Sequence, residues 1–459
     1  MTPPHYDVIV VGAGCAGLSA AVALSEAGAR VLVLEARPLL GGRATTFVDP
    51  ATGESVDNGQ HLLLGCYRET FTFLSRIGAT DQVRLQPRLE VPFVDDAGVE
   101  SLLSCPSLPA PLHLLAGLID WTALGWADRW SAVSLVPAIR AARRYVRTGR
   151  GYLPASEEET VENWLIRNGQ SRRLRAMLWE PLALAALNQP IREAAAPPFV
   201  RVLAEMFGPD PRASAIAVPL RPLAALYAEP SRALIRARGG DVRVASPARV
   251  RAPGSRVAGV LVRGEPIDAP SVVAAVPWFA LPETVGDAAG ALAPVVAAAR
   301  AVAASPIVTV NLWLDRPVLP APFVGLPGRT FQWVFDKRQV LGASASHLSL
   351  VSSGAAGVVA RTNADLGELA RAELTRAVPV VQQAHVRRCV VVRERRATFS
   401  LAPGQPPRPG ARTPVEGLVL AGDWTDTGLP ATIEGAVLSG HRAASAILGE
   451  GAAAPPRRW

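Results

Sequence analysis

Asp57-Asn58-Gly59-Gln60-His61 places a carboxylate, two carboxamides and an imidazole within five residues. An imidazole titrates near neutrality, so His61 could serve as a proton donor or acceptor near neutral pH. The same histidine could serve only to brace its own loop, and the residues alone leave both readings open. A different chemistry stands at Gly12-x-Gly14-x-x-Gly17. There Gly12 suits a tight turn, Gly14 lets backbone approach a pyrophosphate, and Gly17 lets a helix pack closely on a strand. Glu35, eighteen residues beyond Gly17, is spaced to accept hydrogen bonds from a ribose diol.

These residues need elements to carry them. Residues 7–11 are apolar after the first and read as a buried strand, followed by a small-residue helix to about Gly28 and a strand over 30–34. The helix N-terminus offers free N–H groups and partial positive charge to phosphates. Residues 45–56 read as a hairpin turning at 49–53, and 70–77 as a helix. Residues 161–188, 201–207 and 222–238 read as helical, with Trp164, Leu165, Leu174, Leu178 and Trp179 on inner faces. A turn, a strand and a short extended segment follow over 239–250, then strands over 257–262 and 271–276, and those over 306–314, 331–335 and 347–352 suit a mixed sheet flooring a substrate cavity. A helix over 364–377, a strand over 389–393, a proline-rich link over 403–414, a buried strand and a helix to about Leu448 complete the chain. The class is α/β: a Rossmann-type dinucleotide-binding domain interleaved with a mixed-sheet and helical substrate domain. The expected cofactor-domain segments are 1–60, 231–282 and 411–459, with substrate-domain segments 61–230 and 283–410.

Three stretches carry a resemblance. Glu35-Ala36-Arg37-x-x-x-Gly41-Gly42-Arg43 resembles the second FAD signature of the amine oxidase and carotenoid desaturase superfamily. Thr413 to Gly422-Asp423-Trp424 resembles its C-terminal motif, where the aspartate bonds the ribityl chain or diphosphate. The helix opened by Pro430-Ala-Thr432-Ile433 would direct its N-terminal dipole at the flavin N1 and C2 carbonyl. In the superfamily a valine backbone lies against the adenine, and that position maps onto Val250. The resemblance therefore implies FAD, held by Gly12, Gly14, Gly17, Glu35, Ala36, Arg37, Gly42, Arg43, Val250, Gly422, Asp423, Thr432 and Ile433. It implies a non-covalent cofactor, because no cysteine or histidine stands in the C-terminal motif.

Asn58-Gly-Gln60-His61, with Gly65-Cys66-Tyr67 behind it, resembles a narrower branch, the hydroxysqualene dehydroxylases of hopanoid biosynthesis. That branch implies reduction of the allylic alcohol hydroxysqualene to squalene, with loss of water and oxidation of reduced flavin. His61 would then be the proton donor and Gln60 the residue orienting the hydroxyl. A phytoene-type desaturase would share the FAD motifs and an apolar tunnel. An amine oxidase would need Lys337 beside flavin N5 and an aromatic pair, for which only Phe399 and Trp424 stand in the C-terminal stretch. A non-catalytic prenyl-lipid carrier would not need intact cofactor motifs.

With 459 residues the chain exceeds one compact core. Its net charge of +8 rests almost wholly on arginine, Lys337 being the sole lysine, and no Lys/Arg tract with interleaved aromatics suggests nucleic acid. Four cysteines, Cys15, Cys66, Cys105 and Cys389, lack metal-ligand spacing and suit a reducing compartment. No signal peptide is expected, and Pro106, Pro109 and Pro111 would break any spanning helix in the apolar stretch 101–119. Trp121, Trp126 and Trp130, followed by Arg140, Arg143, Arg144 and Arg147, suit either a cap packing its tryptophans inward or a surface dipping into a bilayer. The expected location is cytoplasmic, with peripheral contact to the inner face of the cytoplasmic membrane. No second dinucleotide fingerprint names an electron donor.

Overall fold

The computed structural model describes residues 5–109, 112–342 and 346–449. Five short strands form a parallel sheet in the order Asp241–Arg243, Val31–Leu34, Val8–Val11, Ser271–Ala274, Leu418–Leu420. Both faces are covered, which is why these strands read as continuous apolar runs. Val8, Val10, Val31 and Val33 face the helices Cys15–Glu26 and Ile433–Leu448, while Ile9, Val11, Leu32 and Leu34 join the core that holds Ala248 and Val260. The two helices approach closely because Gly440 lies against Ala16 and Ser19, where any side chain would overlap the Ala16 carbonyl.

A seven-stranded sheet lies in the order Val386–Phe399, Ala304–Leu314, Ser346–Ser352, Trp333–Asp336, Phe323–Gly325, Glu90–Val94, Glu100–Ser104. It is antiparallel except where Gly325 meets Phe93, so it is a mixed sheet. The Val386–Phe399 strand is longer than the run 389–393 expected from sequence, because it pairs along nearly all of Ala304–Leu314. Period-two alternation sorts the long Ala304–Leu314 strand. Val308, Val310, Leu312 and Leu314 pack on the helix Asn363–Ala377 through Leu366, Ala370 and Leu374. Ile307, Thr309, Asn311 and Trp313 point the other way, and the buried polar pair Thr309 and Asn311 therefore faces inward.

Helices between residues 112 and 206 form the cap, with Trp164, Leu165, Leu174 and Trp179 all buried. A π-helical turn at Arg175–Trp179 interrupts them. The tryptophans of the 106–145 stretch divide: Trp121 is fully buried, but Trp126 is 68 % exposed and Trp130 71 %. An inward-packing cap accounts for the first and fails for the other two, because the Trp126–Val133 helix has only Ala132 buried. Pro111 lies outside the described residues. No helix among the described residues is long and apolar enough to cross a membrane.

Candidate functional site

A cavity of about 990 Å³ brings the glycine loop, the Asn58–His61 loop and the cap together. At the loop after the first strand, Gly12 has a φ of +106° and a Cβ there would meet the Ala275 carbonyl oxygen at 2.5 Å. A side chain on Gly17 would overlap the Gly12 carbonyl. Gly14 differs: nothing but the Gly41–Gly42 backbone lies near its Cβ direction, at 3.9 Å or more, so space remains in front of it. Gly14 is also the N-cap of Cys15–Glu26, with no side chain satisfying the first N–H groups. These orphan donors facing a cavity are what a pyrophosphate requires. Glu35 accepts from Ala13 N at 2.8 Å and Arg37 N at 2.9 Å, which turns its carboxylate toward the cavity it lines with Ala36 and Arg37.

The second glycine pair closes on the first. Gly41 N donates to Ala13 O at 2.9 Å, and Tyr227 Oη bonds the carbonyls of Gly41 and Ala44 at 2.9 and 2.5 Å. Arg43 Nη2 donates to Asp423 Oδ1, joining motifs 380 residues apart. Gly422, Asp423, Thr432 and Ile433 line the same cavity, and Thr432 caps its helix by accepting from Gly435 N at 3.1 Å. Of the thirteen residues expected around a dinucleotide, eleven line the cavity; Gly17 packs against Gly12 behind it, and Val250 also stands apart. It is 1 % exposed and does not line the cavity; Gly286 packs against its carbonyl and closes that edge. Ala248, two residues earlier, lines the cavity instead. The uncapped helix end, the open Gly14 and the inward-facing Glu35 fit an FAD cradle.

At the loop 57–61 every side chain is held. Asp57 accepts from Thr46 Oγ1 at 2.7 Å and Leu223 N at 3.0 Å. Asn58 Nδ2 donates to Arg43 O at 2.8 Å and Glu394 Oε1 at 2.9 Å, while its Oδ1 accepts from Thr45 N at 3.1 Å. His61 Nδ1 stands 2.9 Å from Gly59 O, and a carbonyl only accepts, so Nδ1 carries the proton. Nε2 of the neutral ring is then an acceptor. Burial pushes this imidazole's pKa down, against the opposing pull of Asp57. A proton-donating His61 must therefore be doubly protonated, which Asp57 and Glu394 favour while burial and the Lys337 charge oppose it, the net shift being downward. Asn58, Gln60, His61 and Glu394 all line the cavity.

Beneath the loop lies a polar layer. Thr309 Oγ1 and Asn311 Nδ2 are buried without partners among the described residues. His347 Nε2 lies 2.9 Å from Asn311 Oδ1, and its ring stacks on Trp313 at 4.0 Å. Burial and Lys337 drive its pKa down to about 3, so it is neutral. Lys337 itself lies in this layer, not in the cavity wall, and neither Phe399 nor Trp424 lines the cavity. At the far side Leu115, Leu118, Leu135, Ile139, Leu178 and Leu182 supply apolar wall from the cap. Behind Thr432, Glu434 accepts from Glu69 N, Thr70 N and Thr70 Oγ1 at 2.7–3.0 Å, and burial raises its carboxyl pKa to about 7.

Sequence reasoning missed Glu394, Tyr227 and the contact of Lys337. A lone glutamate in a strand and a tyrosine in a helix carry no local signal; Lys337 was marked by being the sole lysine, but its partners were not legible.

The model of the flavin containing amine oxidoreductase family matches residues 15–448. The chain is 33 % identical over 458 residues to a hydroxysqualene dehydroxylase of Sinorhizobium fredii, covering 97 % of this chain and 99 % of the relative. It is 26 % identical over 480 residues to a 15-cis-phytoene desaturase of Capsicum annuum, covering 96 % and 78 %. The crystal structure of an oxidoreductase from Methanosarcina mazei shares the fold, with a TM-score of 0.73 at 19 % identity across 95 % of this chain and 98 % of that one.

Proposed function

The chain belongs to the flavin containing amine oxidoreductase family, and from that premise we propose that it is an FAD-dependent oxidoreductase that reduces hydroxysqualene to squalene. One observation carries the choice of substrate class: the cavity that contains the cofactor cradle continues past the tethered Asn58–His61 loop into an apolar wall of Leu115, Leu118, Leu135, Ile139, Leu178 and Leu182. Reduced FAD is a hydride donor, which is the reducing equivalent that replacing C–O by C–H requires. The backbone of the glycine loops, Glu35, Arg43, Asp423 and the Thr432 helix end would hold it, without a covalent bond.

Water is a poor leaving group, so departure of the hydroxyl needs a proton or strong hydrogen bonds at its oxygen. His61, protonated on both nitrogens, is assigned as the donor and Gln60 as the residue that orients the hydroxyl. The allylic cation left behind is shielded from water by Leu178, Leu182, Trp333 and the other apolar walls. The protein carrying photoreduced flavin, incubated anaerobically with hydroxysqualene, should yield squalene. Recovery of unchanged alcohol would overturn the assignment. Acid precipitation should release the flavin; colour retained in the pellet would refute non-covalent binding.

A water-insoluble substrate must reach the cap from a membrane. Leu112, Ile119, Trp126, Trp130 and Val133 are exposed on helices whose other residues, Leu114, Leu115, Leu118 and Ala132, line the cavity. This face is assigned as the peripheral contact with the bilayer, with Arg140, Arg143, Arg144 and Arg147 supplying charge for anionic headgroups. The four cysteines are free, in keeping with a cytoplasmic location. High salt should release the protein only partly from anionic vesicles, because apolar insertion is not screened. Complete release would remove the apolar component.

A further inference from the structure

Lys337 opens the short helix Lys337–Leu341 directly after the strand Trp333–Asp336. It is 2 % exposed, although a lysine is rarely buried without a purpose that offsets desolvation. Elsewhere the chain supplies every side-chain cation other than histidine as arginine. A compact ammonium with three rotatable donors can serve two acceptors from a single nitrogen. The two acceptors are Gln60 Oε1 at 2.5 Å and Asp57 Oδ2 at 3.5 Å, so Lys337 bridges both ends of the loop.

Burial lowers the pKa of Lys337 and the Asp57 carboxylate opposes that shift; as the ammonium paired with Asp57 it only donates, so the carboxamide must turn its oxygen toward Lys337 and its NH₂ away. One N–H then reaches His61 O at 3.3 Å, and the other has no protein partner among the described residues. Gln60 lines the cavity and Lys337 does not. We propose that Lys337 is a positioning residue that fixes the Gln60 amide so that its free N–H faces the cavity and receives the oxygen of an alcohol ligand. Without the lysine the amide could rotate and present its own oxygen, which repels the lone pairs of a hydroxyl and assists no departure. The inference rests on the reading of the ligand as an allylic alcohol.

Binding to the oxidised holoenzyme separates this inference from turnover. The perturbation of flavin absorbance reports the affinities of hydroxysqualene and squalene, the same skeleton with and without the oxygen. Wild type should prefer the alcohol by about tenfold, the worth of one added hydrogen bond. Lys337→Met and Gln60→Leu should each abolish that preference while changing squalene affinity by less than about threefold, and the double variant should lose no more than either single one. A purely structural lysine would lower both affinities together. Should Lys337→Met fail to fold, the Gln60→Leu protein still decides, through the lone ¹³Cε-lysine NMR resonance. In wild type it should shift with hydroxysqualene and not with squalene, and in Gln60→Leu with neither. An alcohol preference retained in Lys337→Met, losses that multiply in the double variant, a wild type without preference, or a lysine resonance indifferent to the alcohol would each overturn the proposal. If the Lys337-dependent preference is found but reduced protein leaves hydroxysqualene unconverted, the assigned reaction fails and this inference stands.

Discussion

The glycine loop and the Asn58–His61 loop border one cavity, yet they are held in opposite ways. The first works through backbone N–H groups and absent side chains within a few residues of one another. The second works through side chains whose partners lie as far away as Glu394, 336 residues along the chain. A backbone cradle tolerates no added atoms, whereas a side-chain lattice tolerates substitutions that keep its hydrogen bonds.

Within the cradle, two glycines three residues apart should fail differently. Gly17→Val drives atoms into the Gly12 carbonyl and should cost more than about 3 kcal/mol, leaving no soluble folded protein. Gly14→Val points into free space and should give a folded but colourless protein, seen as a cooperative melt without flavin absorbance. Equal behaviour of the two would dissolve the distinction between packing glycine and cofactor glycine.

His61→Ala tests the other loop. It should retain flavin and slow conversion of hydroxysqualene by roughly 10²- to 10⁴-fold if His61 is the acid. Near-normal turnover would remove it from the mechanism and leave Glu394 as the remaining carboxyl beside Asn58.

Glu434 sharpens the contrast through pH, since it couples the cofactor-side helix to the helix that follows the Asn58–His61 loop. Its carboxyl has a pKa of about 7 in the fold against an ordinary value of 4.5, so the fold favours the protonated form. The stability it contributes is present below pH 4.5 and is lost as pH rises to about 7, on the order of 3 kcal/mol over that window. Glu434→Gln should therefore gain stability relative to wild type as pH rises from 4.5 to 7, read from denaturant melts at several pH values. A constant difference would show that its three hydrogen bonds hold the carboxylate ionised throughout.

The smallest effect belongs to the cap. Trp126→Ser with Trp130→Ser should lower partitioning onto anionic vesicles by about tenfold while leaving the melting temperature unchanged, because neither ring packs inside. Unchanged partitioning would relocate the membrane contact to the arginines alone.

Local rules made the parallel sheet, the glycine loop and the Thr432 cap legible, since each depends on residues adjacent in sequence. The resemblance mapped the adenine contact onto Val250, whose carbonyl the fold covers with Gly286 while Ala248 lines the cavity. Local rules were divided over the cap, because exposure of Trp126 and Trp130 depends on what packs beside them.

From the amino-acid order alone came the dinucleotide chemistry: steric exclusion at Gly12 and Gly17 and the spacing to Glu35 act over a range that sequence encodes directly. Tertiary structure alone decided which tautomer His61 adopts, which way Gln60 faces and that Lys337 stands behind it. Those outcomes depend on hydrogen bonds and desolvation among segments that meet only after the hairpin, the long sheet and the Lys337 turn have packed together.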